Sequence, residues 1–287
     1  ESSAASDVYK RQERIYDVLT TKSELEDEEG AIEVDHLDGE IEFKNVWFAY
    51  VEEDWILKDV SFKVNAKENV AFVGATGSGK TTILSLIVRN YDIQKGQILI
   101  DGLDIKKYKI ASLRKHIGQM LQDVFLFSGT VESNITLRSD DISSDIVKEA
   151  CRFVNADKVI DKLPNKYNEI VRERGKNFSS GERQLISFAR VVSHKPNIMI
   201  LDEATSNIDT ETEALIQDSL KKMMNIGTML IVAHRLSTIQ HCDKIIVLKK
   251  GRIIESGTHL ELLDKRGHYY NSVSYTHLRA HETGRNL

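Results

Sequence analysis

The chain has no apolar run near the roughly 20 residues that cross a bilayer, and its first residues lack the basic-then-apolar order of a secretory signal. The piece is therefore expected to be soluble by itself. Only two cysteines, Cys151 and Cys242, are present, without metal-ligand spacing. They read as two buried or half-buried thiols in a reducing compartment, not as a disulfide frame or a zinc site. A basic footprint is also missing: the formal net charge is −5, which gives no electrostatic case for a nucleic-acid partner. Internal repeats and low-complexity tracts are absent. What remains is an ordinary globular composition, 41% hydrophobic and 29% charged, long enough for one large domain or two small ones.

One stretch organises the rest. Gly74-Ala75-Thr76-Gly77-Ser78-Gly79-Lys80-Thr81 follows the apolar run Val70 to Val73 and opens a helix-like segment from Thr82 to Arg89. Glycines let the backbone curl so that N–H groups point inward, Lys80 can reach the outer phosphates, and the Thr81 hydroxyl can hold Mg²⁺ at a helix N-terminus. A flexible Gly/Ser turn would have the same composition. The strand before and the helix after favour the phosphate loop.

Around this loop the pattern alternates. Ile41, Phe43, Val46 and Phe48, then Val60 to Val64, Val70 to Val73, Gly96 to Asp101 and Ile117 to Met120 predict strands. Helical spacing follows over Val131 to Leu137, Ile142 to Val154 and Val159 to Leu163, closed by Pro164. Helices and strands then alternate through Ser180 to Val192, Ile198 to Leu201, Thr210 to Met224, Thr228 to Val232, Leu236 to Gln240, Lys244 to Leu248 and Arg252 to Glu255. Such alternation predicts a mostly parallel α/β sheet with a helical insert. At the start, Glu13 to Leu19 reads as a helix tail, and the acidic stretch Glu24 to Glu33 as a solvated linker. From about Ser272 to Leu287 periodicity is lost. That tail, and a junction up to about Gln12, read as foreign sequence.

A second chemical signal is Ile198-Met199-Ile200-Leu201-Asp202-Glu203, a buried-type strand ending in two carboxylates. At the C-terminal end of a parallel strand such side chains meet the phosphate site. Asp202 would support Mg²⁺ and Glu203 would polarise the attacking water, as in-line phosphoryl transfer requires. An acidic strand end that caps the next helix is the plainer alternative.

Asn177-Phe178-Ser179-Ser180-Gly181-Glu182-Arg183-Gln184 makes the resemblance specific. It resembles the signature loop of ATP-binding cassette proteins, Leu-Ser-Gly-Gly-Gln, and that family is defined by this loop together with the phosphate loop. The resemblance implies a P-loop NTPase core with a mostly parallel sheet, an antiparallel β-subdomain and an inserted α-helical subdomain at about 124–192. It implies ATP and Mg²⁺ as ligands: Gly74 to Thr82 on the phosphates, Thr81, Gln122 and Asp202 on the metal, and Tyr50 stacked on adenine. Glu203, His234 and Gln122 would be catalytic. Ser179, Ser180, Gly181 and Glu182 would close over the γ-phosphate held by a partner subunit, with Asp209 at the dimer interface. Alone, Tyr50 would pass for core or interface, Gln122 for a surface amide, Ser179 and Asp209 for helix caps, and His234 for a structural histidine.

The match runs from about Ile41 to Tyr270, with the nucleotide domain expected over 41–271. Val171-Arg172-Glu173-Arg174-Gly175 resembles the loop by which exporters couple to their membrane helices, although Arg172 replaces the usual glycine. The implied setting is the cytoplasmic face of a membrane, with a transmembrane domain on the same full-length chain. The signature departs from pattern at Phe178, Ser180 and Glu182, while Glu203 and His234 are intact. That split resembles the catalytic member of a heterodimeric exporter; a homodimer is the alternative. Two other readings are a soluble cassette ATPase of DNA repair or translation, which would carry coiled-coil or basic insertions, and a nucleotide-binding regulatory module without turnover. Neither insertion is visible, and an intact Glu203 argues against the last.

Overall fold

The computed structural model describes residues 12–13, 15–16, 20, 25–121, 124–202, 208–232 and 235–273. Its strands are β1 (Ile41–Ala49), β2 (Trp55–Val64), β3 (Asn69–Val73), β4 (Lys95–Ile100), β5 (Leu103–Asp104), β6 (Ile117–Met120), β7 (Gly129–Thr130), β8 (Ile170–Val171), β9 (Ile198–Asp202), β10 (Thr228–Val232), β11 (Lys244–Lys249) and β12 (Arg252–Gly257). Its helices are α1 (Lys80–Ile87), α2 (Ile110–Lys115), α3 (Val131–Thr136), α4 (Ser144–Phe153), α5 (Asp157–Ile160), α6 (Ser180–Ser193), α7 (Thr210–Met223), α8 (Leu236–Ile239) and α9 (His259–Asp264).

The central sheet has the order β12-β11-β3-β10-β9-β6. All its neighbours run parallel except β12, which returns antiparallel on β11. Parallel strands buried on both faces call for near-continuous apolar runs, and Val70–Val73, Ile198–Leu201, Met229–Val232 and Ile245–Leu248 supply them. Successive side chains go to opposite faces. Ala71, Met199, Leu201, Met229 and Ile231 therefore join one core with Leu185, Ile186, Phe188 and Ala189 of α6 and Ile216 and Leu220 of α7. Val70, Phe72, Ile198, Ile200, Leu230 and Val232 join the other, with Ile83, Leu84 and Ile87 of α1 and Phe43 and Phe48 of β1. This second core is shared with an antiparallel sheet of order β2-β1-β4-β5. The expected α/β class, with parallel core, antiparallel sheet and helices, is what the chain adopts.

Differences lie in what sequence spacing sees poorly. β2 begins at Trp55, ahead of the expected Val60, because pairing with β1 extends it from Val64 back to Trp55. The helical insert also holds the two-residue strands β7 and β8, paired antiparallel. Within the described part of the acidic stretch, Glu26, Asp27, Glu29 and Glu33 are exposed and Glu28 is half exposed, yet the segment is tied down. Asp27 accepts from the Ile110 N–H at 2.8 Å, Glu28 and Glu33 pair with Lys107 and Lys109, and Ile32 bridges to Tyr108. Arg89, 1% exposed, donates to the carbonyls of Glu26 (3.2 Å) and Tyr108 (3.3 Å) and to the Asp92 carboxylate (3.2 Å). A buried guanidinium needs such partners to offset its lost hydration.

Both cysteines are free and buried, and burial pushes the Cys151 thiol up to about 12. Among the described residues no helix is long and apolar enough to cross a membrane. Residues 1–11 and 274–287, most of the two expected foreign segments, lie outside the described residues.

Candidate nucleotide-binding site

β3 delivers Val73 to the C-terminal end of the central strands, the chain turns through Gly74 to Gly79, and α1 starts at Lys80. Gly79 forms the helix cap at φ 104°, a left-handed conformation, and an added Cβ would lie 2.6 Å from the Leu57 side chain. Glycine meets both demands. Ala75, Thr76 and Gly77 are exposed, while Ser78 is buried with its hydroxyl lacking a hydrogen-bond partner. The Lys80 ammonium folds back and donates to the carbonyls of Gly74 (2.8 Å) and Ala75 (3.0 Å). Burial lowers its pKa from the ordinary lysine value, and the nearby Asp202 carboxylate works in the opposite direction.

Strand register explains how Asp202 arrives. Phe72, Val232 and Asp202 lie level across β3, β10 and β9. The loop after β3 passes over the end of β10, and the Thr81 hydroxyl donates to the Asp202 carboxylate at 3.1 Å. Tyr50 follows β1, half exposed, with its hydroxyl 3.2 Å from that of Thr82. Phe48 and Tyr91 hold the ring edge-to-face at 4.8 and 5.1 Å. One flat ring, one ammonium, a curled backbone and a hydroxyl–carboxylate pair thus share one corner. These groups fit a purine nucleotide and its magnesium: the orphaned Ser78 hydroxyl and Lys80 suit phosphate oxygens, and paired hard oxygens suit Mg²⁺.

The sequence profile described as ABC transporter matches residues 57–206. The chain belongs to the ABC transporter family. It carries that family's ATP-binding, ATP-hydrolysing domain. It is 48% identical over 257 residues to an uncharacterized ABC transporter ATP-binding protein of Bacillus subtilis, covering 90% of this chain and 42% of that one. It is 43% identical over 258 residues to a fatty acid ABC transporter ATP-binding/permease protein of Mycobacterium tuberculosis, covering 90% of this chain and 41% of that one. The solved structure of a bacterial Atm1-family ABC exporter with ATP bound superposes with a TM-score of 0.86 at 37% identity, over 92% of this chain and 46% of that chain. The chain thus spans about two fifths of the curated relatives it matches.

The stretch expected to be a signature loop forms a second group. Ser179 caps α6 by accepting from the Glu182 N–H (3.2 Å), and the Glu182 carboxylate accepts from the Ser179 N–H (2.7 Å). The two residues satisfy helix-end donors reciprocally. Ser180 is half exposed at the start of α6, and Phe178 is buried in the core. Gly181 packs so closely on α7 that a Cβ would come within 2.4 Å of Thr212 and 3.0 Å of Ile208. Asp209 caps α7, accepting from the Thr212 N–H at 2.9 Å, a bond that holds its carboxyl below the usual range. Ser179–Glu182 and Asp209 are therefore neighbours at two packed helix starts. Among the described residues no hydrogen bond joins this group to Gly74–Thr82.

Gln122, Glu203 and His234 lie outside the described residues. The strands that precede them in the chain, β6, β9 and β10, are adjacent and parallel. In the exporter-like loop Val171 is buried and paired in β8, while Arg172, Glu173 and Arg174 are exposed. Sequence reasoning missed Tyr91, which steadies Tyr50, and Gly251, whose N–H donates to the Ser78 carbonyl at 3.1 Å. Nothing in local spacing marks Tyr91. Gly251 stands in a Lys-Lys-Gly-Arg turn between apolar runs, a visible turn without a visible target.

Proposed function

We propose that the chain is the motor domain of an ABC exporter, in which ATP draws two such domains together and hydrolysis lets them part. The observation that carries this is the meeting of Lys80, Thr81 and Asp202 at the C-terminal end of the central strands. Lys80 would release its two carbonyls to hold the outer phosphates, and Thr81 with Asp202 would hold Mg²⁺, which supplies neutralisation of developing phosphate charge. Tyr50 would orient the base. Glu203 would polarise the attacking water, with Gln122 and His234 completing the catalytic set.

The exposed Ala75, Thr76 and Gly77 make the loop a ledge that a second surface would close. A partner's signature supplies that surface under this reading, and Ser179 to Glu182 complete the partner's site in return. Because nucleotide then favours the closed pair, it can shift the state of an attached membrane part. The likeness to ATP-binding/permease proteins and to an exporter structure supports a transmembrane domain on the same full-length chain, at the cytoplasmic face of a membrane. The altered Phe178, Ser180 and Glu182 support a heterodimer in which this chain gives the intact catalytic half. ATPase measured for the purified chain alone and with a candidate partner tests that arrangement: strong, cooperative hydrolysis by this chain alone would sink it. Glu203→Gln should abolish turnover and accumulate an ATP-bound dimer; an unchanged rate would remove Glu203 from its role.

A further inference from the structure

The phosphate loop is gripped from behind by the hairpin β11–β12. The Gly251 N–H in its turn donates to the Ser78 carbonyl at 3.1 Å, and the Gly251 carbonyl accepts from the Lys58 N–H of β2 at 2.9 Å. Its φ is +77°, and an added Cβ would lie 2.1 Å from the Ile56 carbonyl oxygen. Only glycine fits between the loop and β2. Next in the chain, the Arg252 guanidinium lies 5.7 Å over the Trp47 ring of β1. The turn is thereby fastened on both sides to the sheet that also leads to Tyr50.

Peptide planarity gives this contact a direction. Across a trans peptide the carbonyl and the N–H point opposite ways. With the Ser78 carbonyl held on Gly251, the N–H of Gly79 faces away from the hairpin. A flipped peptide would turn the Ser78 oxygen toward the phosphate oxygens, where like partial charges repel. We propose that Gly251 is a positioning residue for phosphate recognition: it holds the Ser78–Gly79 peptide with its N–H presented to the nucleotide. The proposal rests on the nucleotide-site reading above, and it assigns Gly251 to the phosphates and not to the base.

Side-chain substitution at Gly251 would clash with Ile56, so the test removes the N–H alone. Cys242 allows residues 1–241, as a thioester, to be ligated to a synthetic 242–287 segment carrying glycolic acid in place of Gly251. The ester keeps the shape and deletes the donor. A chain ligated by the same route with glycine is the control. Binding of trinitrophenyl-ATP and trinitrophenyl-adenosine is followed by fluorescence, with a thermal melt on each protein. The expected result is roughly fivefold to tenfold weaker binding of the triphosphate to the ester form, with adenosine binding unchanged. Equal affinity of both forms for the triphosphate, or a parallel loss for both ligands, overturns the proposal. Failure of the glycine control to bind the triphosphate overturns the site reading itself, and the proposal with it.

Discussion

The hydroxyl of Thr81, in the first turn of α1, donates at 3.1 Å to the carboxylate of Asp202, the last residue of β9. Strand β10 lies between β3 and β9, so this contact exists only because the phosphate loop crosses the end of β10. Asp202→Asn keeps an oxygen that can accept from Thr81 but removes the charge. Magnesium-dependent hydrolysis should fall roughly tenfold or more, while ATP binding in EDTA should hold at the wild-type level. A coupled ATPase assay beside calorimetric titration checks both, and equal loss in EDTA would count against a metal role.

Lys80 should give ATP binding a pH signature. Burial holds its ammonium below the usual lysine range in the free chain, and polyphosphate would raise it again. Its charge opposes folding at neutral pH, an effect relieved as pH rises through the lowered folded value. For the nucleotide the dependence reverses. ATP binding should take up protons on the alkaline side and weaken as pH passes that value, and Lys80→Met should abolish the proton uptake. Calorimetry in buffers of different ionisation enthalpy reads it directly.

Arg89 joins the end of the α1 segment to the acidic stretch before the domain. Arg89→Met leaves Glu26, Tyr108 and Asp92 without a donor they now have, and should cost about 2–4 kcal/mol in denaturant unfolding. Residues 25–34 should also become sensitive to limited proteolysis. Unchanged cleavage in that stretch would mean that the Asp27 and Ile32 contacts suffice alone.

The capping box at Ser179 separates a folding role from a binding role. Ser179→Ala should cost about 1 kcal/mol, because a helix-end donor loses its partner. Glu182→Gln retains an acceptor for the Ser179 N–H and should melt near wild type. If Glu182→Gln nevertheless lowers ATP hydrolysis with a partner, its carboxylate matters beyond the helix.

Much of this was legible in the chain itself. Continuous apolar runs gave β3, β9 and β10 nearly to the residue, since strands buried on both faces leave no polar interruption. The strand–turn–helix over Val70 to Ile87 was readable because its determinants are local: the glycines from Gly74 to Gly79 and the start of α1 at Lys80 fall within one turn. The reciprocal capping of Ser179 and Glu182 was also there to be read, as serine followed three residues later by glutamate. Long-range contacts were not. No spacing rule tells that Arg89 turns inward to a carbonyl 63 positions earlier, or that Gly251 supports Ser78. Those depend on which elements pack together. The direction of β12 was not legible for a related reason: apolar spacing marks a strand without its direction, and the Lys250–Gly251 turn reverses it against β11.

Equilibrium ATP binding to the purified chain and to Lys80→Ala tests the central claim most directly. The account predicts saturable binding by the wild type and affinity weaker by roughly tenfold or more in the variant, since a charge-assisted contact to phosphate is lost. Equal affinity in the two proteins would contradict it.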